Sequence, residues 1–133
     1  MNKLKGVITN INNVGELSKV DINVGGYGFS ALIIDIDRLL HVGSSIGLLF
    51  KESEVLVATK ESKVSARNAF VSTVLSVEKG TLLSMIKFDF LGNGVASMIT
   101  TASVETLKIK EGEEFLWFVK ANEITLQRSE DGE

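Results

Sequence analysis

Cysteine and proline are both absent from the 133 residues, and the single histidine is His41. Without cysteine the chain has no disulfide framework, no thiolate metal site and no cysteine nucleophile. Without proline, the 12 glycines must make the turns together with Asn, Asp and Ser. One histidine and scattered carboxylates do not supply a nucleophile, a base and an orienting group, so we predict that the protein is not an enzyme and holds no protein-bound metal ion.

Long apolar runs are missing too. Runs such as Leu32 to Ile34 fall far short of the roughly 20 residues that a bilayer helix needs, so no membrane association is expected. No apolar signal segment follows the first six residues, and the cytoplasm is the expected compartment. The formal net charge of −3 argues against non-specific binding of nucleic acid, which depends on phosphate neutralisation.

Apolar and polar residues alternate along much of the sequence. This two-residue period predicts β-strands. Glycine and Asn at 24–28 and 91–94 predict hairpin turns between them. Two stretches, 35–41 and 101–108, are expected to form a helical turn or two, the second with Ser103 as its N-cap. The apolar positions that mark the strands are Val20, Ile22 and Val24; Phe29, Ala31 and Ile33; Ile86, Phe88 and Phe90; and Phe115, Trp117 and Val119.

The chain repeats itself. Residues 4–11 align with 70–77, Gly25-Gly26 with Leu91-Gly92, and 51–55 with 120–124. Each copy contains about five strands with one helical turn before the fourth, the order of a small OB-like barrel. We therefore predict an all-β protein of two tandem five-stranded OB-like barrels, at 1–62 and 63–128. The polar end from Gln127 onward is expected to fray, with 129–133 as a tail beyond the second repeat.

Three motifs of the second copy point to a family. Ser65-Ala66-Arg67-Asn68 resembles the opening of the Mop domain, the molybdate-binding module of molbindins and molybdate-responsive regulators. Ile-Thr-Thr-Ala-Ser at 99–103 is similar to the family's Ile-Thr segment with its following Ser, and Lys-Ala-Asn at 120–122 to its Lys-Ala-Ser/Asn strand start. In this order and spacing the motifs are specific. The resemblance covers Asn2 to about Leu126, as a tandem Mop (di-Mop) protein of the TOBE/Mop family.

The resemblance implies that the protein binds molybdate or tungstate as intact tetrahedral oxyanions, at sites between subunits or repeats. It implies one group of ligands in the Ser-Ala-Arg-Asn segment and a second group from another chain or repeat. Such an anion has four acceptor oxygens, so convergent hydroxyl and backbone N–H donors suit it, and a cation offsets its desolvation. The implied oxyanion ligands are Ser65, Ala66, Arg67 and Asn68 in the first group and Thr100, Ser103, Lys120 and Ala121 in the second.

The first copy departs from this pattern. It has no Ser-Ala-Arg before Asn2, and it carries Ile-Asp-Ile-Asp at 34–37 where the second copy has Thr100 to Ser103. Two carboxylates would repel an oxyanion. Only Lys51 and Ser53 are retained, so we expect at most a weaker site there, with the first copy acting mainly as scaffold.

Taken singly, each of these residues has an ordinary structural interpretation. Arg67 could clamp backbone carbonyls, Lys120 could face solvent from a strand, and Ser103 could be only a helix cap. The glycines at 25–28 lack the context of a dinucleotide loop and predict a turn. The aromatic residues at 115–118 could stack on bases as in nucleic-acid-binding OB folds, but their alternation favours packing in the core.

The predicted function is that of a cytoplasmic protein binding molybdate or tungstate for storage, buffering or delivery. One alternative is the effector-sensing module of a molybdate-responsive transcriptional regulator, and another is a generic OB-fold nucleic-acid-binding module. Family precedent favours a homo-oligomer with sites at subunit interfaces, a trimer before a dimer. The preference between molybdate and tungstate stays open, because the two anions are nearly equal in size and charge.

Overall fold

The computed structural model describes residues 1–129, and ten strands make up most of that part. One α-helix, α1 (Thr101–Leu107), follows the eighth strand, and single 3₁₀ turns at Glu52–Glu54 and Ala121–Glu123 precede the fifth and tenth strands. The strands are β1 (Asn2–Val14), β2 (Leu17–Val24), β3 (Tyr27–Ile34), β4 (Ser45–Phe50), β5 (Leu56–Ala58), β6 (Asn68–Lys79), β7 (Leu83–Phe90), β8 (Asn93–Thr100), β9 (Glu114–Val119) and β10 (Thr125–Arg128).

The strands form two five-stranded antiparallel sheets, which confirms the predicted all-β class. The orders are β10-β4-β1-β2-β3 and β5-β9-β6-β7-β8, so the last strand of each sequence repeat lies in the sheet of the other repeat. The outer strands of each sheet also approach one another, β10 against β3 and β5 against β8, and this curls both sheets into barrels. Exchange of the last strands joins the two barrels through backbone hydrogen bonds.

The predicted hairpin turns are present. Gly25 and Gly26 connect β2 to β3 with φ of 58° and 96°, the left-handed backbone that two-residue hairpins need. The equivalent turn between β7 and β8 has Leu91 at φ 56°, and its side chain packs onto Gly25. A Cβ on Gly25 would lie 2.6 Å from Leu91 Cδ1, so the two hairpin tips meet closely and a side chain there would force Leu91 to shift.

One of the two predicted helical segments is wrong. Residues 35–41 form bends and turns, because Asp37 Oδ1 accepts a hydrogen bond from Leu39 N and Asp35 has a φ of 53°. A short acidic side chain that accepts a hydrogen bond from the backbone of a nearby residue competes with helix formation. The segment at 101–108 does form α1, but the N-cap is Thr100 instead of Ser103: Thr100 Oγ1 accepts from Ser103 N at 3.1 Å.

The predicted fraying at the end of the chain is wrong for its first residues. Gln127 and Arg128 belong to β10 and pair with Gly47 and Ile46 of β4. Of the predicted tail at 129–133, residues 130–133 lie outside the described residues.

The aromatic core lies between the two sheets. Trp117 is fully buried, its Nε1 donates to Ser72 Oγ at 2.9 Å, and its ring meets Phe50 and Phe70 at centroid distances of 6.1 and 5.2 Å. Phe50 comes from the first repeat and Trp117 from the second, so the core is continuous across them. The expectation that Trp117 packs in the core is confirmed.

Two asparagines tie each barrel to the other in the same way. Asn2, at the start of β1, exchanges two hydrogen bonds of 2.8 Å with the backbone of Ala96 in β8. Asn68, at the start of β6, bonds Ser30 N and Ser30 O of β3 at 2.7 and 2.9 Å. The sequence repeat aligns Asn2 with Asn68, and the structure shows that both span the junction between barrels.

Close approach of β1 and β2 at Gly6 provides a test of the packing. A Cβ there would lie 2.6 Å from Asn23 O and 2.7 Å from Ile22 Cγ2, so Gly6→Ala is expected to lower the free energy of unfolding by about 1–3 kcal/mol through overpacking. Gly47→Ala is the matched control, since its Cβ would make ordinary contacts at 3.5 Å or more. Urea unfolding of both variants measures the difference, and equal stabilities would contradict the packing at Gly6.

Candidate functional site

Arg67 and Lys120 lie just beyond the same end of the β6–β9 ladder. Asn68 of β6 pairs with Val119 of β9, and the next residues outward on these antiparallel strands are Arg67 and Lys120. Both side chains are exposed. Lys120 has extended backbone angles (φ −68°, ψ 147°) and caps the second 3₁₀ turn, which begins at Ala121. The structure thus places the backbones of two of the predicted cations at the same end of one ladder.

Asn68 holds this end of the ladder in place. Its side chain is 0% exposed, and besides the two bonds to Ser30 its Nδ2 donates to Val119 O at 3.2 Å. All the hydrogen bonds described for the Asn68 amide are therefore made to the backbone of β3 and β9. This arrangement fixes the backbone directly beside Arg67 and Lys120, and we expect Asn68 to act as a positioning residue for them.

Ser65 and Ala66 lie in the irregular segment that leads into β6. Ser65 is exposed and Ala66 is half-buried. Both precede Arg67 directly, so they belong to the same end of the sheet as Lys120 and Ala121. This end therefore gathers six of the eight predicted residues of the second repeat: Ser65, Ala66, Arg67, Asn68, Lys120 and Ala121.

Thr100 and Ser103 lie at the opposite end of β6. Thr100 pairs with Leu83 of β7, close to where Lys79 ends β6. Their hydroxyls are 2.8 Å apart, and Ser103 N is occupied by Thr100 Oγ1. Within one chain the two predicted groups are thus separated, and only residues from another chain could complete a shared site.

The residues retained in the first repeat occupy equivalent positions. Lys51 caps the first 3₁₀ turn with nearly the same backbone angles as Lys120 (φ −78°, ψ 145°), and Ser53 lies within that turn. Both are exposed. The neighbouring Glu52 binds the amino terminus of Met1, and this hydrogen bond lowers the pKa of the Glu52 carboxyl. A carboxylate that stays charged beside Lys51 makes this position less suited to an anion than Lys120.

The two 3₁₀ turns meet through their carboxyl groups. A hydrogen bond that protonated Glu123 donates to the Glu54 carboxylate raises the pKa of Glu123, with a smaller contribution from desolvation, while the nearby charge of Lys120 acts in the opposite direction. Because protonation of Glu123 removes a negative charge close to Lys120, anion binding at Lys120 is expected to strengthen as the pH falls towards this raised pKa.

Glu54→Gln tests this pairing. A carboxyl whose folded-state pKa is raised contributes stability that is present at low pH and is lost as the pH rises through the folded-state pKa. Removing the Glu54 charge should therefore raise Tm at neutral pH and make little difference at acid pH, where Glu123 is protonated. Thermal unfolding over this pH range measures the effect, with the exposed Glu111→Gln as control. A Tm difference independent of pH would contradict the pairing.

Arg67 also borders a polar groove of about 410 Å³ on the β2–β3 hairpin. Lys19 contributes to its lining but is bound to Asp21 at 2.8 Å, and this hydrogen bond lowers the pKa of Asp21, with a further bond from Ser30 Oγ. Because the Asp21 carboxylate remains charged, the cation available on the rim of this groove is Arg67.

Sequence reasoning missed the junction role of the asparagines and the contact between Glu54 and Glu123. A signal existed for both, because the repeat alignment places Asn2 on Asn68 and Glu54 on Glu123. Equivalent positions in two copies that face each other meet near the axis relating the copies.

Among residues 1–129 no three His, Asp or Glu side chains lie together as a metal site, and no helix there is long and apolar enough to cross a membrane.

Comparison with known proteins extends the likeness over both repeats. Residues 64–126 match the TOBE domain family. Over 64 residues, 47% of this chain, the identity is 31% to molybdenum-pterin-binding protein 1 and 33% to molybdenum-pterin-binding protein 2 of Clostridium pasteurianum, with 94% of each covered. The crystal structure of the cytoplasmic molybdate-binding protein ModG, with molybdate bound, is similar over 96% of both chains, with a TM-score of 0.90 and 25% identity.

Proposed function

The chain belongs to the Mop family of TOBE-domain proteins, as a tandem, molbindin-like member, and from this premise we propose that it binds molybdate or tungstate as intact oxyanions. We place this function in the cytoplasm, in storage, buffering or delivery of the oxyanion. The observation that carries the proposal is the juxtaposition of Arg67 and Lys120 at the end of the β6–β9 ladder, held by the buried Asn68.

This end of the sheet offers the donors that a tetrahedral dianion needs. Arg67 and Lys120 supply positive charge, and the Ser65 hydroxyl and backbone N–H groups of the irregular segment 64–67 supply neutral donors. Charge-assisted hydrogen bonds are roughly twice as strong as neutral ones, which offsets the desolvation of the anion. The chemistry is binding without bond breaking, in line with relatives that are named as binding proteins.

Thr100 and Ser103 enter the proposal through a second copy of the chain. Their distance from Lys120 along β6 means that one chain alone does not unite the two predicted groups. We therefore propose a homo-oligomer, a trimer before a dimer, in which Thr100 and Ser103 of one copy face Arg67 and Lys120 of the next. The first repeat contributes at most a weaker site at Lys51 and Ser53.

A nucleic-acid-binding role finds less support. Stacking of bases requires exposed aromatic rings, whereas Trp117 and Phe115 are buried in the core. We favour a binding protein over an effector-sensing module because the likeness to ModG covers 96% of both chains.

Isothermal titration of the anion-free protein tests the proposal. Molybdate and tungstate are titrated separately, with sulfate and phosphate as controls, and the oligomer mass is recorded on the same sample. Tight binding of molybdate or tungstate with weak sulfate binding is expected, and a fractional number of sites per chain would locate those sites between subunits. Absence of binding heat together with no change in Tm would overturn the proposal.

A further inference from the structure

A basic groove runs across the outer face of the first sheet, and neither Arg67 nor Lys120 is part of its lining. Its volume is about 580 Å³, within the usual range of small-molecule sites. Strands β1, β4 and β10 form its floor, and three cations line it: Lys3, Lys5 and Arg128. In a chain of net charge −3 such a concentration of positive charge is a local feature.

A missing side chain makes the groove. Lys5 of β1 pairs with Gly47 of β4, which in turn pairs with Gln127 of β10, so these three residues form one row across the sheet. A Cβ on Gly47 would lie 3.6 Å from Lys3 Cε and 3.7 Å from Gln127 Cβ, which shows that the empty position points to the same face as those side chains. Glycine at the centre of the row leaves a shallow recess, and Gly47 is buried because the Lys3 stem and Gln127 lie against it.

The two lysines have no acidic partner among residues 1–129. Neither Lys3 nor Lys5 forms an ion pair there, whereas Arg128 is paired with Asp37 at a distance of 3.9 Å. Two residues along a strand are roughly 7 Å apart, so both ammonium groups can converge on one anionic group between them. Within the described part of the chain these two positive charges have no acidic counterpart, and together they match a dianion.

The equivalent face of the second sheet has none of these features. There the corresponding row is Val71, Leu116 and Ala58, and Ala69 stands where Lys3 stands in the first repeat. The basic groove is therefore a property of the first sheet, which includes β10 of the second repeat. Because the predicted oxyanion ligands belong mainly to the second repeat, the groove is a separate feature of the molecule.

We propose that this groove binds a small organic phosphate monoester. The phosphate, which carries a charge of about −1.5 to −2 at neutral pH, lies between the ammonium groups of Lys3 and Lys5, with Arg128 at the rim. The uncharged remainder of the ligand lies over the recess at Gly47, where the flexible Lys3 stem moves aside and the absence of a glycine side chain adds room. The groove volume exceeds what a bare tetrahedral anion fills, and this favours an esterified phosphate over inorganic phosphate.

Backbone amide NMR shifts, recorded with and without molybdate, test the proposal. Adenosine monophosphate serves as the phosphate monoester, with inorganic phosphate and adenosine as the two halves of that probe. Saturable shifts are expected at the amides of Lys3, Lys5, Gly47 and Gln127 with adenosine monophosphate, weaker ones with inorganic phosphate and none with adenosine. They should persist when molybdate is saturating, and they do not depend on whether molybdate binds.

Three variants sharpen the test. The double variant Lys3→Ala, Lys5→Ala should weaken binding by about ten-fold or more, because two charge-assisted contacts are lost. The control Lys87→Ala, an exposed lysine on the second sheet, should leave it unchanged. Gly47→Val fills the recess and should weaken adenosine monophosphate more than inorganic phosphate, and its amide spectrum shows whether the fold is retained.

Three results would overturn the proposal. They are no saturation in the millimolar range, equal affinity of the double lysine variant and the wild type, and shifts centred on Arg67 and Lys120. The last would mean that phosphate enters the oxyanion site and that the groove is only a solvated basic surface. Equal weakening of both phosphate probes by Gly47→Val would contradict the placement of the organic part of the ligand.

Discussion

Replacing Lys120 with alanine is expected to weaken molybdate binding about ten- to a hundred-fold while leaving the fold intact. A hydrogen bond to a charged group contributes about 1.5–3 kcal/mol, and each 1.4 kcal/mol corresponds to a factor of ten in Kd. Lys120 is exposed and forms no ion pair within residues 1–129, so its removal leaves no buried group without a partner. Isothermal titration with molybdate measures the change.

Lys51→Ala is the internal control for that result. Lys51 has the same place in the first repeat, before an equivalent 3₁₀ turn, but next to the charged Glu52. Its loss should change molybdate affinity little. If Lys51→Ala weakened binding as much as Lys120→Ala, the first repeat would hold a working site of its own.

Ser65→Ala should also weaken molybdate binding, by a smaller factor, because it removes a neutral donor. Unchanged affinity in both Lys120→Ala and Ser65→Ala would refute the assignment of the site to this end of the second sheet, even if the protein binds molybdate.

Replacing Asn68 with alanine is expected to lower the free energy of unfolding by about 2–5 kcal/mol. Its buried amide bonds Ser30 N, Ser30 O and Val119 O, and each buried polar group left without a partner costs about 1–3 kcal/mol. The loss affects the junction between the barrels, because Ser30 belongs to β3 and Val119 to β9. Urea unfolding followed by the fluorescence of the buried Trp117 reports this directly.

Asn2→Ala is the matched variant for Asn68→Ala. Asn2 makes two of the equivalent bonds, to Ala96, and lies at the start of β1. Its replacement should destabilise the protein to a similar or smaller degree but leave molybdate affinity unchanged, whereas Asn68→Ala should weaken both. Equal molybdate affinity of the two variants under folded conditions would contradict the positioning role of Asn68.

Much of the fold followed from local patterns. Period-two alternation around Val20 to Val24 and Phe115 to Val119 predicted strands correctly, because one buried face imposes that period whatever the partner strand is. The glycine turn at Gly25-Gly26 was predicted correctly because positive φ is a local requirement. The resemblance to the Mop motifs singled out Arg67 and Lys120, and the pairing of β6 with β9 places their backbones at the same end of a ladder.

Features that depend on competition between similar residues were missed or misplaced. Thr100 and Ser103 are both good N-cap residues, and Thr100 is the cap because β8 ends there and α1 begins at the next residue. The segment 35–41 has helix-forming leucines, but the Asp37 side chain accepts a hydrogen bond from the backbone N–H of Leu39 and the helix does not form. Such outcomes differ by small energies that a pattern of residue types does not resolve.

By itself the sequence determined the all-β class, the two repeats and the oxyanion motif, because strand period, turn residues and donor types are properties of short segments. Only the tertiary structure decided that β5 and β10 exchange between sheets, that Thr100 and Lys120 lie at opposite ends of β6, and that Lys3 and Lys5 lie beside a recess at Gly47. These features arise from hydrogen bonding between strands far apart in the chain, and strand alternation is the same whichever partner a strand finds.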